Sequence, residues 1–279
     1  MPWLSSRRPQ MDDDLPYLFI DGNYANEIYR QAMRDVFGID DEPDPRSLLR
    51  AIRFHRAYYY DCPTEKRSDE ADPEYQARRD KQQAYFDEFK ELQGVHVRLG
   101  TLRGRRARQK EVDVLLAVDM MTHGFNKTMS NAVLLTGDLD FRPVVDALVR
   151  NGIFVRIMYE AQSGSKELRE AADYGIRLGW HQLYNWGRET FRSANRVPEV
   201  TMNAPEFLFQ PVESGTIRQP ATGRTSPVLL TRSGDTWQIL IENWDGHRLG
   251  ITHRDPQVLE RYAGRLYASI EWTGRRIAK

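Results

Sequence analysis

The chain has 279 residues, 40% hydrophobic and 29% charged, more than one typical domain needs and enough apolar content for a sizeable core. Its 40 Lys and Arg balance 40 Asp and Glu, which excludes a generally polycationic surface, so any basic face must be local. The single cysteine, Cys62, excludes an internal disulfide and fits a reducing compartment. No apolar run approaches the ~18 to 20 residues that span a bilayer, and the N-terminus lacks the apolar core of a signal peptide; a cytoplasmic protein is expected.

Residues 1–15 read as a flexible lead-in. Tyr17-Leu18-Phe19-Ile20 makes a first strand, followed by a helix from Asn23 to about Phe37 with Ile28, Ala32, Met33 and Val36 at helical spacing. Gly38 to Pro45 breaks the pattern. A short helix, Arg46 to Arg53, leads to a second strand, Arg56 to Tyr60. Cys62 to Pro73 is a polar loop. Glu74 to Gln93 is an amphipathic helix turning Tyr75, Ala84, Tyr85, Phe89 and Leu92 inward, and Gly94 ends it. Val95 to Leu99 alternates as a third strand. A basic loop follows, then a helix from Glu111 to about Gly124, a strand Ala132 to Leu135, and a helix Phe141 to Asn151 closed by Gly152 in the left-handed conformation. Ile153 to Met158 is a fifth strand and Lys166 to Ala172 a short helix. Strands alternating with helices predict an α/β fold, a doubly wound parallel sheet with helices on both faces, over residues 16–186. Residues 187–206, polar and irregular, read as a linker. Beyond them 207–279 form a small β-rich module: Phe207 to Gln210, Val228 to Thr231, Thr236 to Glu242 and Arg248 to Thr252, with a turn at Ser233-Gly234-Asp235, a short helix from Asp255 to Leu266 and a last strand to Trp272. Trp237, Trp244 and Trp272 suit its core better than an exposed contact surface.

Four aspartates carry the chemical signal. Asp21 follows the first apolar strand in Asp21-Gly22-Asn23. Asp138 and Asp140 follow Ala132 to Leu135 in Thr136-Gly137-Asp138-Leu139-Asp140, and Asp113 opens the helix between. Each has an ordinary structural explanation: Asn23 or Asp140 as a helix N-cap, Asp113 as a first-turn carboxylate facing the helix dipole. Jointly, they fall on the carboxyl-end rim of one sheet, where side chains converge. Two carboxylates ~5 Å apart repel by about 3 kcal/mol at an effective dielectric near 20. A hard divalent cation removes that penalty and activates water against a phosphodiester. The six histidines show no metal-ligand spacing, so zinc is not indicated.

Phe19-Ile20-Asp21-Gly22-Asn23, Lys110-Glu111-Val112-Asp113-Val114-Leu115-Leu116-Ala117-Val118-Asp119 and Thr136-Gly137-Asp138-Leu139-Asp140-Phe141-Arg142-Pro143 together resemble the NYN family of PIN-like nucleases over residues 15–185. The resemblance implies a PIN-like fold, a Mg²⁺ or Mn²⁺ site and cleavage of RNA. It implies Asp21, Asp113, Asp138 and Asp140 as metal-binding carboxylates, with Asn23 and Thr136 as supporting polar residues; the leading reading puts Asp21, Asp113 and Asp138 on the metal and Asp140 on a water. Asp119 matches too, but lies about 120° around the helix from Asp113, which suits a supporting or structural group.

Arg98, Arg103, Arg105, Arg106, Arg108 and Lys110 supply six positive charges and no negative one between residues 98 and 110. Either this is a solvated loop or it anchors phosphates beside Asp113, arginine being suited to bidentate contacts; six contacts to a single strand imply a salt slope near about −4. Tyr58, Tyr59 and Tyr60 offer bases a stacking surface but suit a central strand's core better. The expected function is a metal-dependent endoribonuclease acting on single-stranded or structured RNA, such as tRNA or mRNA. The alternative is a non-catalytic RNA-binding adaptor on the same basic rim, a role that gains nothing from four carboxylates. A haloacid-dehalogenase-type phosphatase needs an aspartate where Asn23 stands, and Gln162 to Lys166 lacks a phosphate-loop frame. A homo-oligomer or protein partner would use the C-terminal module.

Overall fold

The computed structural model describes residues 15–101, 105–204, 210–218, 223–242, 248–266 and 270–273, without the side chains of 105–110, 210 and 266. The chain divides into two compact units: residues up to Tyr29 with Glu42–Trp186, and Arg30–Asp41 with Gly187 onward. Among the described residues no helix is long and apolar enough to cross a membrane.

The first unit is built on six parallel strands, β1 (Tyr17–Asp21), β2 (Arg56–Asp61), β3 (Val95–Leu99), β4 (Asn131–Leu135), β5 (Phe154–Glu160) and β6 (Tyr174–Leu178). Their order across the sheet is β3-β2-β1-β4-β5-β6. The chain works outward from β1 to β3, then crosses back to lay β4 against β1. The carboxyl ends of β1 and β4 therefore flank the point where the winding reverses, the crevice in which such sheets bind ligands.

Helices α1 (Gly22–Phe37), α2 (Pro45–Leu49), α3 (Asp72–Lys90), α4 (Arg105–Phe125), α5 (Arg142–Arg150), α6 (Lys166–Ala171) and α7 (Trp180–Tyr184) accompany the strands. Side chains alternate across a strand, and here both faces are covered. Phe19, Tyr58, Tyr60 and Leu134 share one core with Val112, Leu116 and Met120 of α4 and Val145 and Leu148 of α5. Tyr59 points the other way, stacked 4.0 Å from Phe89 and edge-on to Tyr85 of α3. This is the expected doubly wound α/β, PIN-like fold. The three tyrosines are buried, so they are core and not a stacking surface.

Several elements differ from expectation. β6 was not anticipated: only Leu178 of its five residues is buried, so an edge strand left no apolar pattern. Helix α4 starts at Arg105, six residues before the expected Glu111, because Arg, Ala, Gln and Lys are strong helix formers; what read as a basic loop is largely helix. Helix α2 is shorter than expected, capped by Asp44, whose carboxylate accepts from Ser47 N at 3.1 Å. Helix α3 buries Phe86, not Ala84, beside Tyr85 and Phe89. The expected helix from Phe141 opens with a 3₁₀ turn, Leu139–Phe141, before α5, and Gly152 takes φ +79° after it as expected.

In the second unit, helix α8 (Glu189–Ala194) and strand β7 (Glu199–Met202) occupy the stretch read as a linker. With β8 (Gln210–Arg218), β9 (Thr225–Ser233), β10 (Thr236–Glu242), β11 (Arg248–His253) and β12 (Ile270–Trp272), β7 completes an antiparallel sheet ordered β12-β8-β9-β10-β11-β7. Helix α9 (Pro256–Leu266) lies against β10 and β11, and Leu259 and Tyr262 are fully buried with Ile239 and Ile251. Gly234 turns the β9–β10 hairpin at φ +57°. Trp237 is half-buried under the Arg232 guanidinium, 4.9 Å from its ring; Trp272 lies against Gly215, and Trp244 and the expected strand start Phe207 fall outside the described residues.

Candidate active site

Asp21 is the last residue of β1, and alternation turns it to the same face as Phe19, beneath α4. Its Oδ1 accepts the Tyr24 backbone N–H at 3.1 Å and its Oδ2 accepts the Thr136 hydroxyl at 3.0 Å. Thr136 stands one residue beyond β4 and is fully buried. Its oxygen also accepts the Asp138 N–H at 3.3 Å, so one hydroxyl ties the first motif to the third. Asp138 Oδ1 accepts the Asp140 N–H at 2.9 Å and caps the 3₁₀ turn; the cap is Asp138, where the sequence had suggested Asp140. Both motif glycines are sterically required. A Cβ at Gly22 would meet the Tyr60 carbonyl oxygen at 2.6 Å, and one at Gly137 would collide with the Ser163 carbonyl oxygen.

The fourth carboxylate comes from α4. Asp113 lies eight residues after Arg105, two turns inside the helix, so favourable interaction with a helix N-terminus does not explain it. Its carboxyl is pushed up to about 6, first by burial and then by the charges of Asp21, Asp138 and Asp140. Burial also raises Asp21, against the lowering effect of the Tyr24, Thr136 and Asn23 hydrogen bonds, and Asp138 adds to the rise. The four carboxylates therefore share one electrostatic neighbourhood, and no described cation lowers either of these two. Among the described residues, no three acidic, histidine or cysteine side chains converge as a ready-made cage for an ion.

The other expected residues divide. Asn23 is exposed, and its backbone N–H, not its side chain, faces Asp21. Asp119 accepts Arg98 Nε and Nη2, each at 3.0 Å, and the Tyr60 hydroxyl at 2.9 Å, a clasp between α4 and strands β2 and β3. Arg98 is thus paired with a carboxylate, with 49% of its side chain exposed. Arg98→Ala is expected to lower stability by about 1 kcal/mol with RNA affinity unchanged, read by thermal melting and fluorescence anisotropy; a large affinity loss at constant stability would reverse this assignment. Arg103 falls outside the described residues. Arg105, Arg106, Arg108 and Lys110 lie on the first turns of α4, their side chains outside what is described.

The rim holds two further acids, Asp61 ending β2 and Glu160 ending β5. Asp61 accepts the Tyr59 hydroxyl at 2.9 Å and the Cys62 N–H at 2.6 Å. Glu160, 8% exposed, accepts the Gln162 N–H at 2.7 Å. Both repeat the signature that singled out Asp21, an acid closing an apolar run, and the same rule applied evenly along the chain would have found them.

The family model described as the NYN domain matches residues 17–179. No curated protein matches the chain. Among solved structures, it is similar to a Vibrio parahaemolyticus protein of unknown function at 16% identity and a TM-score of 0.40, covering 61% of this chain and 96% of that one.

Proposed function

This chain belongs to the NYN domain family, one of ribonuclease-like hydrolases, and from that premise we propose that it is a divalent-metal-dependent endoribonuclease cutting RNA at the Asp21, Asp113, Asp138 and Asp140 cluster. The supporting observation is Asp113, a carboxyl pushed up to about 6 first by burial and then by the charges of Asp21, Asp138 and Asp140, with no described cation among the causes. A site built that way resists its own charge until a cation enters. The donor set fits a hard ion: carboxylate oxygens and a threonine hydroxyl, with no histidine or cysteine grouped with them among the described residues, suit Mg²⁺ or Mn²⁺ over zinc. Mg²⁺ also keeps several of its waters, so carboxylates that do not converge on one point can hold it partly through them.

On this reading Asp21, Asp113 and Asp138 hold the ion. When bound, it lowers the pKa of a coordinated water and offsets charge on the phosphodiester. Asp140, the most exposed of the four, accepts the proton of the attacking water. Thr136 fixes the orientation of Asp21 and Asp138 together through its two hydrogen bonds. Basic residues on the turns of α4 before Asp113 hold flanking phosphates, with arginine supplying bidentate contacts.

Incubating the protein with structured and unstructured RNA in Mg²⁺ or Mn²⁺ tests this. Internal cleavage abolished by chelator is expected. Salt-dependent binding without turnover at any metal concentration, or undiminished cleavage in excess chelator, would reject it, the first outcome favouring an RNA-binding adaptor. Thr136→Val, which keeps the buried shape but removes both hydrogen bonds, is expected to slow single-turnover cleavage at least about tenfold; Thr136→Ser should recover most of the rate.

A further inference from the structure

We propose that Tyr24 and Ser163 form a sugar-reading pair that accepts a hydrogen bond from the ribose 2′-hydroxyl next to the scissile phosphate, so that the site selects RNA over DNA. The inference rests on the nuclease reading above and names what its neighbouring wall recognises.

Tyr24 sits in the first turn of α1, and its own backbone N–H holds Asp21. Its hydroxyl oxygen accepts the Glu160 N–H at 3.0 Å and lies 3.0 Å from Ser163 Oγ. Ser163 Oγ in turn donates to Glu160 Oε2 at 3.4 Å. A serine has one hydroxyl hydrogen, and a carboxylate is the stronger claimant for it. Tyr24 is then the donor to Ser163, and the hydrogens run one way, from Tyr24 to Ser163 to Glu160. Both hydroxyl hydrogens are spent inside the network, while each oxygen keeps one lone pair.

What remains is a surface of acceptors. It carries no proton to offer a phosphate, and the charges of Glu160 and Asp21 both reach the Tyr24 phenol, which repels anions further. A neutral hydroxyl donor is the group this surface can take. Ser163 is exposed and Tyr24 half-buried, so the Ser163 oxygen is the acceptor open to solvent and to substrate. The wall is also held still: Ser165 N donates to the Gly137 carbonyl at 3.2 Å, and Gly137 has room for no Cβ between the Ser163 carbonyl and the Tyr24 ring. The pair is therefore fastened to both motifs that supply the carboxylates. With a phosphate at the carboxylates, the attached sugar is the nearest part of the substrate and the base lies farther out. In a ribose that sugar offers the 2′-hydroxyl, the group by which proteins distinguish RNA from DNA.

The test uses the full chain and three oligonucleotides of one sequence: all-RNA, RNA with single 2′-deoxy positions flanking the cleaved bond, and RNA with a changed base there. Wild type should cut all-RNA about tenfold faster than the 2′-deoxy version, the worth of one net hydrogen bond. In Ser163→Ala and in Tyr24→Phe, which keeps the ring against Gly137, that ratio should fall to about twofold or less. Full discrimination retained in both variants overturns the proposal, as does equal slowing on all substrates. Discrimination that follows the base and not the sugar overturns it too. Anisotropy of the same oligonucleotides on Asp138→Asn, alone and combined with Ser163→Ala, reads the sugar preference without turnover. Absent cleavage by wild type would sink the nuclease reading alone, while equal binding of RNA and 2′-deoxy oligonucleotides would sink this pair alone.

Discussion

Asp138→Asn is expected to lower single-turnover RNA cleavage by on the order of 10³-fold, the several kcal/mol that ion-based charge stabilisation supplies, while most RNA affinity survives. Folding should persist for reasons visible in the site. The Asp140 N–H needs only an acceptor at position 138, which the Asn carbonyl oxygen provides, and Thr136 reaches residue 138 through its backbone N–H. The substitution also removes a charge that raises both Asp21 and Asp113. The metal-free variant should therefore melt at or above the wild-type temperature at pH 7.5. Cleavage within tenfold of wild type, with the fold intact by circular dichroism, would remove Asp138 from the chemistry.

Asp113 should make the protein's stability and metal affinity depend on pH in a particular sense. Its carboxyl is raised in the folded state, from 3.8 to about 6. Between about pH 4 and pH 6 the folded form keeps a proton that the unfolded form has lost. Stability of the metal-free protein therefore falls as pH rises through that window, and Asp21, raised by burial, acts in the same direction. Asp113→Asn should be more stable than wild type in chelator at pH 7.5, with the gap closed by about pH 4. Below about pH 6 the proton also competes with the cation for Asp113, so apparent Mn²⁺ affinity should fall by up to about tenfold per pH unit. Melting curves at pH 4.5, 6 and 7.5, with chelator and with Mn²⁺, read both effects. Identical stabilities of variant and wild type at pH 4.5 and 7.5 would show that the carboxylates do not crowd one another.

Elements that bury a complete apolar run were legible from residue types. β1 and β4 carry continuous hydrophobic runs, and β5 one interrupted by Arg156, because parallel strands inside a doubly wound sheet are covered on both faces. β6 and β7 were not legible, since edge strands need only one partner and can be mostly exposed. The start of α4 was misread because charge suggested a loop where helix propensity decided. On α3, Ala84 and Phe86 exchanged places relative to expectation: periodicity gives a face to within a residue or so, and the ring of Tyr59 decides which side chains fill it.

The amino-acid sequence by itself determined the order of the four carboxylates along the chain and that Asp21 and Asp138 each follow an apolar run. It also determined the α/β class, through the alternation of apolar runs and helical periods. Only the tertiary structure decided that β4 lies beside β1, so that residues 115 positions apart, Asp21 and Thr136, share a hydrogen bond. It likewise joined Asp119 to Arg98 and brought Tyr24 against Ser163. Charges and hydroxyls act through distance, and distance between remote segments is set by how the strands are ordered, which no local run of residues encodes.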